Sequence, residues 1–193
     1  MLNELGSPTS ASMPVAAFAE HLRLGSGFAD DGSQNTLLET CLRAALAAVE
    51  ARIGLALLSR RFRWSLTRWS DEAGQVFPIA PVMELESVTL KDRIGDVIAV
   101  NPEIWVLIKD GRRPKLRGAG GYLPGFPTDG FAEVVFTGGY GATWDSVPHD
   151  LRRAVFLLAA HYYEQRSAVD ETVPVSVLSL LMPYRDIRLG ISR

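Results

Sequence analysis

The chain has 193 residues, and its content of 47% hydrophobic and 22% charged residues is ordinary for a soluble globular protein with one fair-sized core. The formal net charge of −2 argues against a dedicated nucleic-acid-binding protein and leaves room only for a local basic face. The one cysteine, Cys41, excludes an internal disulfide framework, and no apolar run is long enough to span a membrane. We therefore expect a cytoplasmic protein with no membrane association.

The N-terminal segment predicts a flexible lead followed by a short helix. Residues 1–12 are small and polar, which is typical of a segment that is disordered when the protein is alone. Pro14 then opens a short helix with an apolar stripe formed by Val15, Phe18 and Leu22.

The next helix is long and has one continuous apolar face. We expect it to begin at Asn35 or Thr36 and to end at Gly54, which is a suitable C-terminal cap. The apolar face contains Leu38, Cys41, Leu42, Ala45, Leu46, Val49 and Ile53. We interpret Cys41 as a buried small residue rather than a nucleophile, because it lies on this stripe with no basic activator beside it.

Between Leu57 and Phe136 the apolar residues recur at every second position, which predicts short antiparallel strands. Phe62, Trp64 and Leu66 alternate with polar residues, as in a half-buried strand. Further strands are expected at Val76–Ile79, Leu85–Leu90, Val97–Val100, Ile104–Ile108, Lys115–Arg117 and Phe131–Phe136. Residues Arg93–Asp96 have the composition of a hairpin connection. The pattern predicts an α+β arrangement, with a β module at about 57–136 between helical segments at about 14–54 and 147–184.

The most strongly marked part of the sequence is a glycine turn followed by a helix. Gly138, Gly139 and Gly141 are expected to break the last strand. Pro148 suits the first position of the next helix, with Asp145 or Ser146 as its cap. Its apolar face contains Leu151, Ala154, Val155, Leu158 and Tyr162. A last helix is predicted from Val173 or Pro174 to Tyr184.

No pattern of residues indicates catalysis or metal binding. His21, His149 and His161 lie on separate elements without the spacing of metal ligands. The glycine turn is not followed by the Lys-Ser/Thr pair of a phosphate-binding loop, and no nucleophile elbow or metalloprotease pair is present. We therefore expect a protein that is not an enzyme, with no catalytic residues, no metal and no cofactor.

Basic residues are concentrated in one predicted hairpin. Five of nine residues are positively charged, with Asp110 as the only acid: Lys109, Arg112, Arg113, Lys115 and Arg117. The cluster is either a solvated hairpin or a surface that faces phosphates without reading bases. A second basic strand is indicated by Arg60, Arg61, Arg63 and Arg68.

Several sequence blocks between residues 13 and 185 resemble, in order, those of head–tail connector (adaptor) proteins of tailed bacteriophages. The blocks are MPVAAFAEHLRL, LLETCLRAALAAVEARIGLALLSRRFRWSLTRW, VFPIAPVMELESVTL, VVFTGGYG, VPHDLRRAVFLLAAHYYEQR and LLMPYR. Gene transfer agents, which are domesticated phage-like particles, carry similar proteins. The most specific pieces are the glycine turn, the proline-started helix with its His-Tyr-Tyr-Glu run, and the late Pro-Tyr-Arg.

The resemblance implies a virion structural protein whose fold is a helical bundle with long central helices and an inserted small antiparallel β module. Residues 13–185 would form a single connector domain. Such proteins assemble as a dodecameric ring beneath the portal protein, extend the channel for double-stranded DNA without sequence specificity, and bind a stopper or tail-completion protein. The expected location is the host cytoplasm during assembly and then the head–tail junction of the particle.

Two sets of residues are expected to make contacts in such an assembly. The tail, residues 186–193, alternates aliphatic and polar side chains, as an extended segment requires. The portal-docking residues would be Tyr184, Arg185, Ile187, Arg188, Leu189 and Ile191. The alternative is that the tail folds back on its own helices. The basic residues between Lys109 and Arg117 would contact DNA or a neighbouring subunit. The alternative function is a nucleic-acid-handling or enzymatic accessory protein of a phage-like element.

Overall fold

The computed structural model describes residues 1–24, 32–98, 101–165 and 173–185, and the chain divides into two compact units. The β unit comprises Met1–Pro8 and Leu58–Ala142. The helical unit comprises Thr9–Leu57 and Thr143–Arg193. The chain therefore passes between the two units three times, since the first residues belong to the β unit as well as the long inserted segment.

The larger sheet of the β unit consists of five antiparallel strands, one of which is central. The strands of the unit are β1 (Leu2–Glu4), β2 (Arg60–Leu66), β3 (Gln75–Val76), β4 (Val82–Lys91), β5 (Val97–Ile98), β6 (Trp105–Ile108), β7 (Lys115–Gly118) and β8 (Phe131–Gly138). The order in this sheet is β1-β2-β8-β4-β5. Every second residue of β8 is buried, and the ring centroid of Phe136 lies 5.4 Å from that of Phe62 and 4.9 Å from that of Phe77. These aromatic contacts form the core of the unit.

The smaller sheet has the order β3-β7-β6 and is followed by a long loop that is anchored to the unit. In the loop, the backbone N–H of Leu123 donates to the carbonyl of Glu72 at 2.8 Å, and Leu123 is buried. The indole N–H of Trp69 donates to the carbonyl of Pro124 at 2.8 Å, and its ring lies 4.7 Å from that of Phe126. The loop is therefore part of the packed structure of the β unit.

Four helices are described in the helical unit: α1 (Val15–His21), α2 (Gly32–Ile53), α3 (His149–Glu164) and α4 (Val175–Leu181). The predicted apolar face of α2 is confirmed, because all seven of its residues, Cys41 included, are buried. The predicted face of α3 is confirmed except that Tyr162 is only half-buried, and Ala159 is buried in addition. The helix α2 begins earlier than predicted, at Gly32.

The ends of the helices agree only in part with the predictions. Gly54 ends α2 with φ +70°, as predicted. Pro148 precedes the first residue of α3 rather than occupying it, and no side chain caps this helix. The predicted cap Asp145 instead forms an ion pair with Arg152 at 2.9 Å. Its carboxylate therefore contacts a side chain of the first turn rather than a backbone N–H group.

The prediction of a helical bundle with long central helices and a small β module is wrong. The described helices have 7, 22, 16 and 7 residues, and the strands form two antiparallel sheets. The bundle was implied by the resemblance to connector proteins and not by the spacing of apolar residues. However, the strands pack around aromatic residues of their own, and they form a compact unit rather than an appendage to helices.

The first residues, for which a flexible lead was predicted, form the edge strand β1. Leu2 pairs with Trp64, and the backbone N–H of Leu5 donates to the carbonyl of Arg61 at 2.8 Å. The carboxylate of Glu4 accepts from Arg60 at 2.7 Å. Backbone pairing of this kind needs no apolar pattern, which is why the composition of the segment gave no sign of it. Flexibility of residues 1–12 in the isolated protein stays a prediction.

The predicted strand break at the glycine turn is confirmed, and one glycine has a specific reason. Gly139 has φ +129°, and a Cβ atom there would lie 2.5 Å from the Cα of Ser59. Its N–H donates to the carbonyl of Pro81 at 2.9 Å, while the N–H of Ser59 donates to the carbonyl of Gly141 at 2.8 Å. Only glycine satisfies both the backbone conformation and the close approach.

Gly139→Ala should therefore destabilise the protein. The backbone conformation alone costs an L-residue about 1–3 kcal/mol, and the overlap with Ser59 adds to this. Gly125→Ala is the matched control, because a Cβ there meets no atom within 4 Å and φ is not positive. Urea unfolding should show a lower midpoint for Gly139→Ala and an unchanged or slightly higher one for the control. Equal midpoints for the two variants would show that the close approach is not a constraint.

Candidate functional site

Two of the three histidines, His21 and His161, line one pocket of about 400 Å³ together with Glu164, and His149 is not among its lining residues. The ring of His21 lies 5.5 Å from that of Phe156, His149 contacts Arg152 at 2.7 Å, and His161 lies beside Tyr162. Among the described residues, no group of three His, Cys, Asp or Glu side chains is arranged to hold a metal ion. None of the described helices is both long and apolar enough to cross a membrane.

The arginines of β2, predicted to form a second basic strand, are paired with glutamates from neighbouring strands. The pairs are Arg60 with Glu4 at 2.7 Å, Arg61 with Glu86 at 2.9 Å, and Arg63 with Glu133 at 3.8 Å. The glutamates belong to β1, β4 and β8, which flank β2 or lie one strand further away. The positive charge of this strand is thus largely neutralised within the β unit.

The Arg61–Glu86 pair has a defined pH dependence. Hydrogen bonding to Arg61, assisted by the hydroxyl of Thr137, lowers the pKa of Glu86 below its ordinary value of 4.5. A carboxyl whose pKa is lower in the folded than in the unfolded state stabilises the fold above pH 4.5, and this stabilisation is lost as the pH falls through the folded pKa. Since the Arg61 side chain is 60% exposed, solvent screening keeps this contribution to stability small.

The predicted basic hairpin is the β6–β7 hairpin, and the structure brings its five basic residues together on an exposed surface. Asp110 accepts hydrogen bonds from the backbone N–H groups of Arg112 and Arg113, each at 2.7 Å, and these bonds lower the pKa of Asp110. Its charge is thus used to build the loop. Lys109, Arg113, Lys115 and Arg117 have no ion-pair partner among the described residues.

The outward face of this hairpin is also apolar, which the sequence analysis missed. Val106 pairs with Arg117 and Ile108 pairs with Lys115, so that aliphatic and basic side chains alternate on one face, while Leu116 is buried on the other. Val106 and Ile108 are both exposed. All four residues of Trp105–Ile108 are apolar, and in a strand alternate side chains face opposite sides, so two of them must face away from the other two.

At the C-terminal end, the structure describes only two of the six predicted portal-docking residues. The hydroxyl of Tyr184 donates to the carboxylate of Asp150 at 2.8 Å, and Tyr184 is half-buried, whereas Arg185 is exposed. The remaining four residues and the tail lie outside the described residues: Ile187, Arg188, Leu189, Ile191 and residues 186–193.

Two exposed apolar residues precede the tail and were not singled out by the sequence analysis. Val175 at the start of α4 is 76% exposed, and Met182 directly after α4 is 63% exposed. Positions seven apart lie on the same side of a helix, and the buried Val177 and Leu181 lie on another side. The end of the described chain therefore presents an outward apolar side.

The chain was compared with known proteins. No protein-family model and no curated protein matches it. Among solved structures, it is similar to a chain in the neck of an empty gene transfer agent particle computed with C6 symmetry, with 42% identity and a TM-score of 0.88. The match covers 100% of this chain and 99% of the other.

Two further structures agree with this match. A chain in the virion of a native gene transfer agent particle is 43% identical, with a TM-score of 0.86 and coverage of 100% and 98%. A chain in the neck of the native particle computed with C12 symmetry is 39% identical, with a TM-score of 0.83 and coverage of 100% and 99%. The chain belongs to the head–tail connector family of phage-like particles. The resemblance found in the sequence is confirmed, and because the matches cover the full length, both units belong to the family fold.

Proposed function

We propose that the chain is a structural head–tail adaptor of a gene transfer particle, in which it forms a ring beneath the portal, extends the DNA channel and links the head to a stopper or tail-completion protein. The observation that carries this proposal is the match of the whole chain, at 42% identity, to a chain of a particle neck. The role is structural and not enzymatic. The protein would be made in the host cytoplasm and then incorporated at the neck.

A ring of twelve copies is supported by the symmetry of the related necks. One was computed with C12 symmetry and another with C6 symmetry. Twelve copies are compatible with both, because a twelve-fold axis includes six-fold rotation. Each weak contact of a subunit is then repeated around the ring, which raises the overall affinity without new contacts.

The first test is a complementation experiment in cells that produce the particles but lack this chain. These cells should accumulate DNA-filled or leaking heads without tails, and the full-length chain should restore tailed particles. Electron microscopy of purified particles distinguishes the outcomes. Normal tailed particles in the absence of the chain would reject the adaptor role.

Docking on the portal is assigned to Tyr184 through Arg193, together with the outward apolar side at Val175 and Met182. Hydrogen bonding of Tyr184 to Asp150 anchors the start of this segment on α3. Burial of the three aliphatic side chains Ile187, Leu189 and Ile191 would contribute about 1.5–3 kcal/mol each, before the cost of ordering the segment. Exposed Val175 and Met182 extend the apolar surface available to the same partner.

Deletion of residues 186–193 tests this assignment. We expect the truncated protein to have an unchanged melting temperature, since its described helices keep their buried residues, but to be lost from portal-containing heads. Co-sedimentation with those heads measures the loss, and the full-length chain is the control. A lower melting temperature or insolubility would show instead that the tail packs on its own helices.

The basic hairpin is proposed to face DNA or an acidic surface of a neighbouring subunit. Its four basic residues without ion pairs carry charge that the fold itself does not use, unlike the arginines of β2. Contacts between exposed charges weaken as salt rises, because the screening length falls from about 10 Å at 0.1 M to about 3 Å at 1 M.

Replacing Arg112, Arg113 and Lys115 by glutamate should reduce retention of DNA in the particles or the stability of the ring, with a larger effect at low salt. The matched control replaces Arg52, Arg68 and Arg153 by glutamate, which changes the net charge equally at exposed positions elsewhere. Particle yield and encapsidated DNA are measured for both. If the hairpin variant and the control give the same particle yield and the same amount of encapsidated DNA, the hairpin does not contact DNA or a neighbouring subunit.

A further inference from the structure

The β4–β5 hairpin ends in an exposed aliphatic tip, formed by residues 92–98. Ile94 is 78% and Val97 is 62% exposed, and Ile98 is exposed as well. The carboxylate of Asp92 accepts the N–H groups of Ile94 and Asp96, each at 2.9 Å. Because these bonds fix the turn, the tip would lose little conformational freedom on binding.

A groove of about 340 Å³ lies beside β4 in the same unit. Its walls combine apolar side chains with two acidic residues, Glu84 and Glu86, and one basic residue, Lys109. The apolar side chains include Met83, Leu85, Trp105 and Leu107. In the described part of the chain, no strand pairs with the outer edge of β4 between Val82 and Thr89, because β5 reaches only Leu90 and Lys91.

The groove is not suited to a long added strand. The pairing of β4 with β8 has register shifts between Val82 and Glu84 and between Leu85 and Ser87. Such bulges twist a sheet edge and interrupt continuous backbone pairing. A short, preformed turn with a few aliphatic side chains fits this surface better.

The tip cannot occupy the groove of its own chain. The groove is lined by β4 residues from Met83 to Val88. A strand rises about 3.3 Å per residue, so Lys91 lies about 10 Å along β4 from the nearer end of the groove. The turn of the tip lies beyond Lys91, because Val97 and Ile98 pair with Lys91 and Leu90. The turn that carries Ile94 can therefore meet such a groove only on another copy.

The charges of the two surfaces are complementary. The tip carries the exposed Arg93 and Asp96, and the groove carries Glu84 and Lys109. None of these four side chains has an ion-pair partner in the part of the chain that the structure describes. Asp92 is also part of the tip, but it binds N–H groups of the turn, and Glu86 is also part of the groove, but it is paired with Arg61. Apart from these two acids, each surface offers one charge of each sign around an apolar centre.

We infer that the β4–β5 tip of one copy seats in the β4 groove of the next copy, as the lateral contact of the ring. The inference rests on the proposed function, since a rotational ring of identical subunits joins two different surfaces head to tail. Ile94 and Val97 supply the apolar contact, and Arg93 and Asp96 meet Glu84 and Lys109. In this arrangement Lys109 faces the neighbouring subunit rather than DNA.

Thiol cross-linking in assembled particles tests the contact. The chain carrying both Ile94→Cys and Met83→Cys is incorporated into particles and treated with a short bismaleimide. We expect a ladder of cross-linked species well beyond dimers, because each copy carries both halves of the contact. Particles that contain a mixture of the two single variants should give dimers only. Buried Cys41 is present in every variant and is controlled by the single variants.

The control pair is Met83→Cys with Tyr122→Cys, since Tyr122 is exposed in the same unit but outside both surfaces. It should give no ladder. Charge exchange provides a second measurement: Glu84→Lys or Arg93→Glu alone should lower the number of copies per particle, and the double variant should restore it. A chain incorporated normally but without a ladder and without charge rescue overturns the inference. Absence of the chain from particles refutes the proposed function itself.

Discussion

The close approach of the backbone at Gly139 to Ser59 is the constraint on which the organisation of the chain depends. It sets the glycine turn beside residues 58–59, where a parallel bridge joins Leu58 to Gly141. Leu58 and Ala142 are also the two ends of the long segment that forms most of the β unit. An inserted unit requires neighbouring ends, because the host chain must continue from one end to the other. A side chain at position 139 would separate these ends.

The arginines show that composition does not decide what a basic segment does. Arg60, Arg61 and Arg63 alternate along β2, and each finds a glutamate on another strand, so their charge stabilises the sheet. In the β6–β7 hairpin the only nearby acid, Asp110, bonds backbone N–H groups instead. The difference arises from pairing between residues distant in sequence, and therefore a count of charges cannot reveal it. Because four of the hairpin's basic side chains are not neutralised in this way, the hairpin presents a basic surface to a partner.

The spacing of apolar residues and the turn residues predicted those features that depend only on neighbouring positions in the sequence. The buried faces of α2 and α3, the glycine end at Gly54 and the β4–β5 connection follow from spacing and turn chemistry within a few residues. The bundle architecture was wrong because no local pattern tells whether strands pack on helices or on one another. Strand β1 was missed since it is held by backbone bonds to residues about sixty positions away. The exposed Val175, Met182 and Ile94 could be read as apolar, but their exposure depends on the packed structure.

The distribution of charge is consistent with the proposed role, in which the subunit would pack beside identical copies around a polyanion. A strongly basic chain would attract DNA but would repel its neighbours, because like charges would repeat at every interface. Here the net charge is only −2, and the glutamates facing β2 neutralise most of the positive charge of the large sheet. Of the remaining basic residues, five lie within nine positions of the β6–β7 hairpin. A local basic group can attract phosphates without adding repulsion over the whole surface that faces neighbouring copies. The proposed contacts with DNA and with neighbouring copies are therefore compatible in one ring.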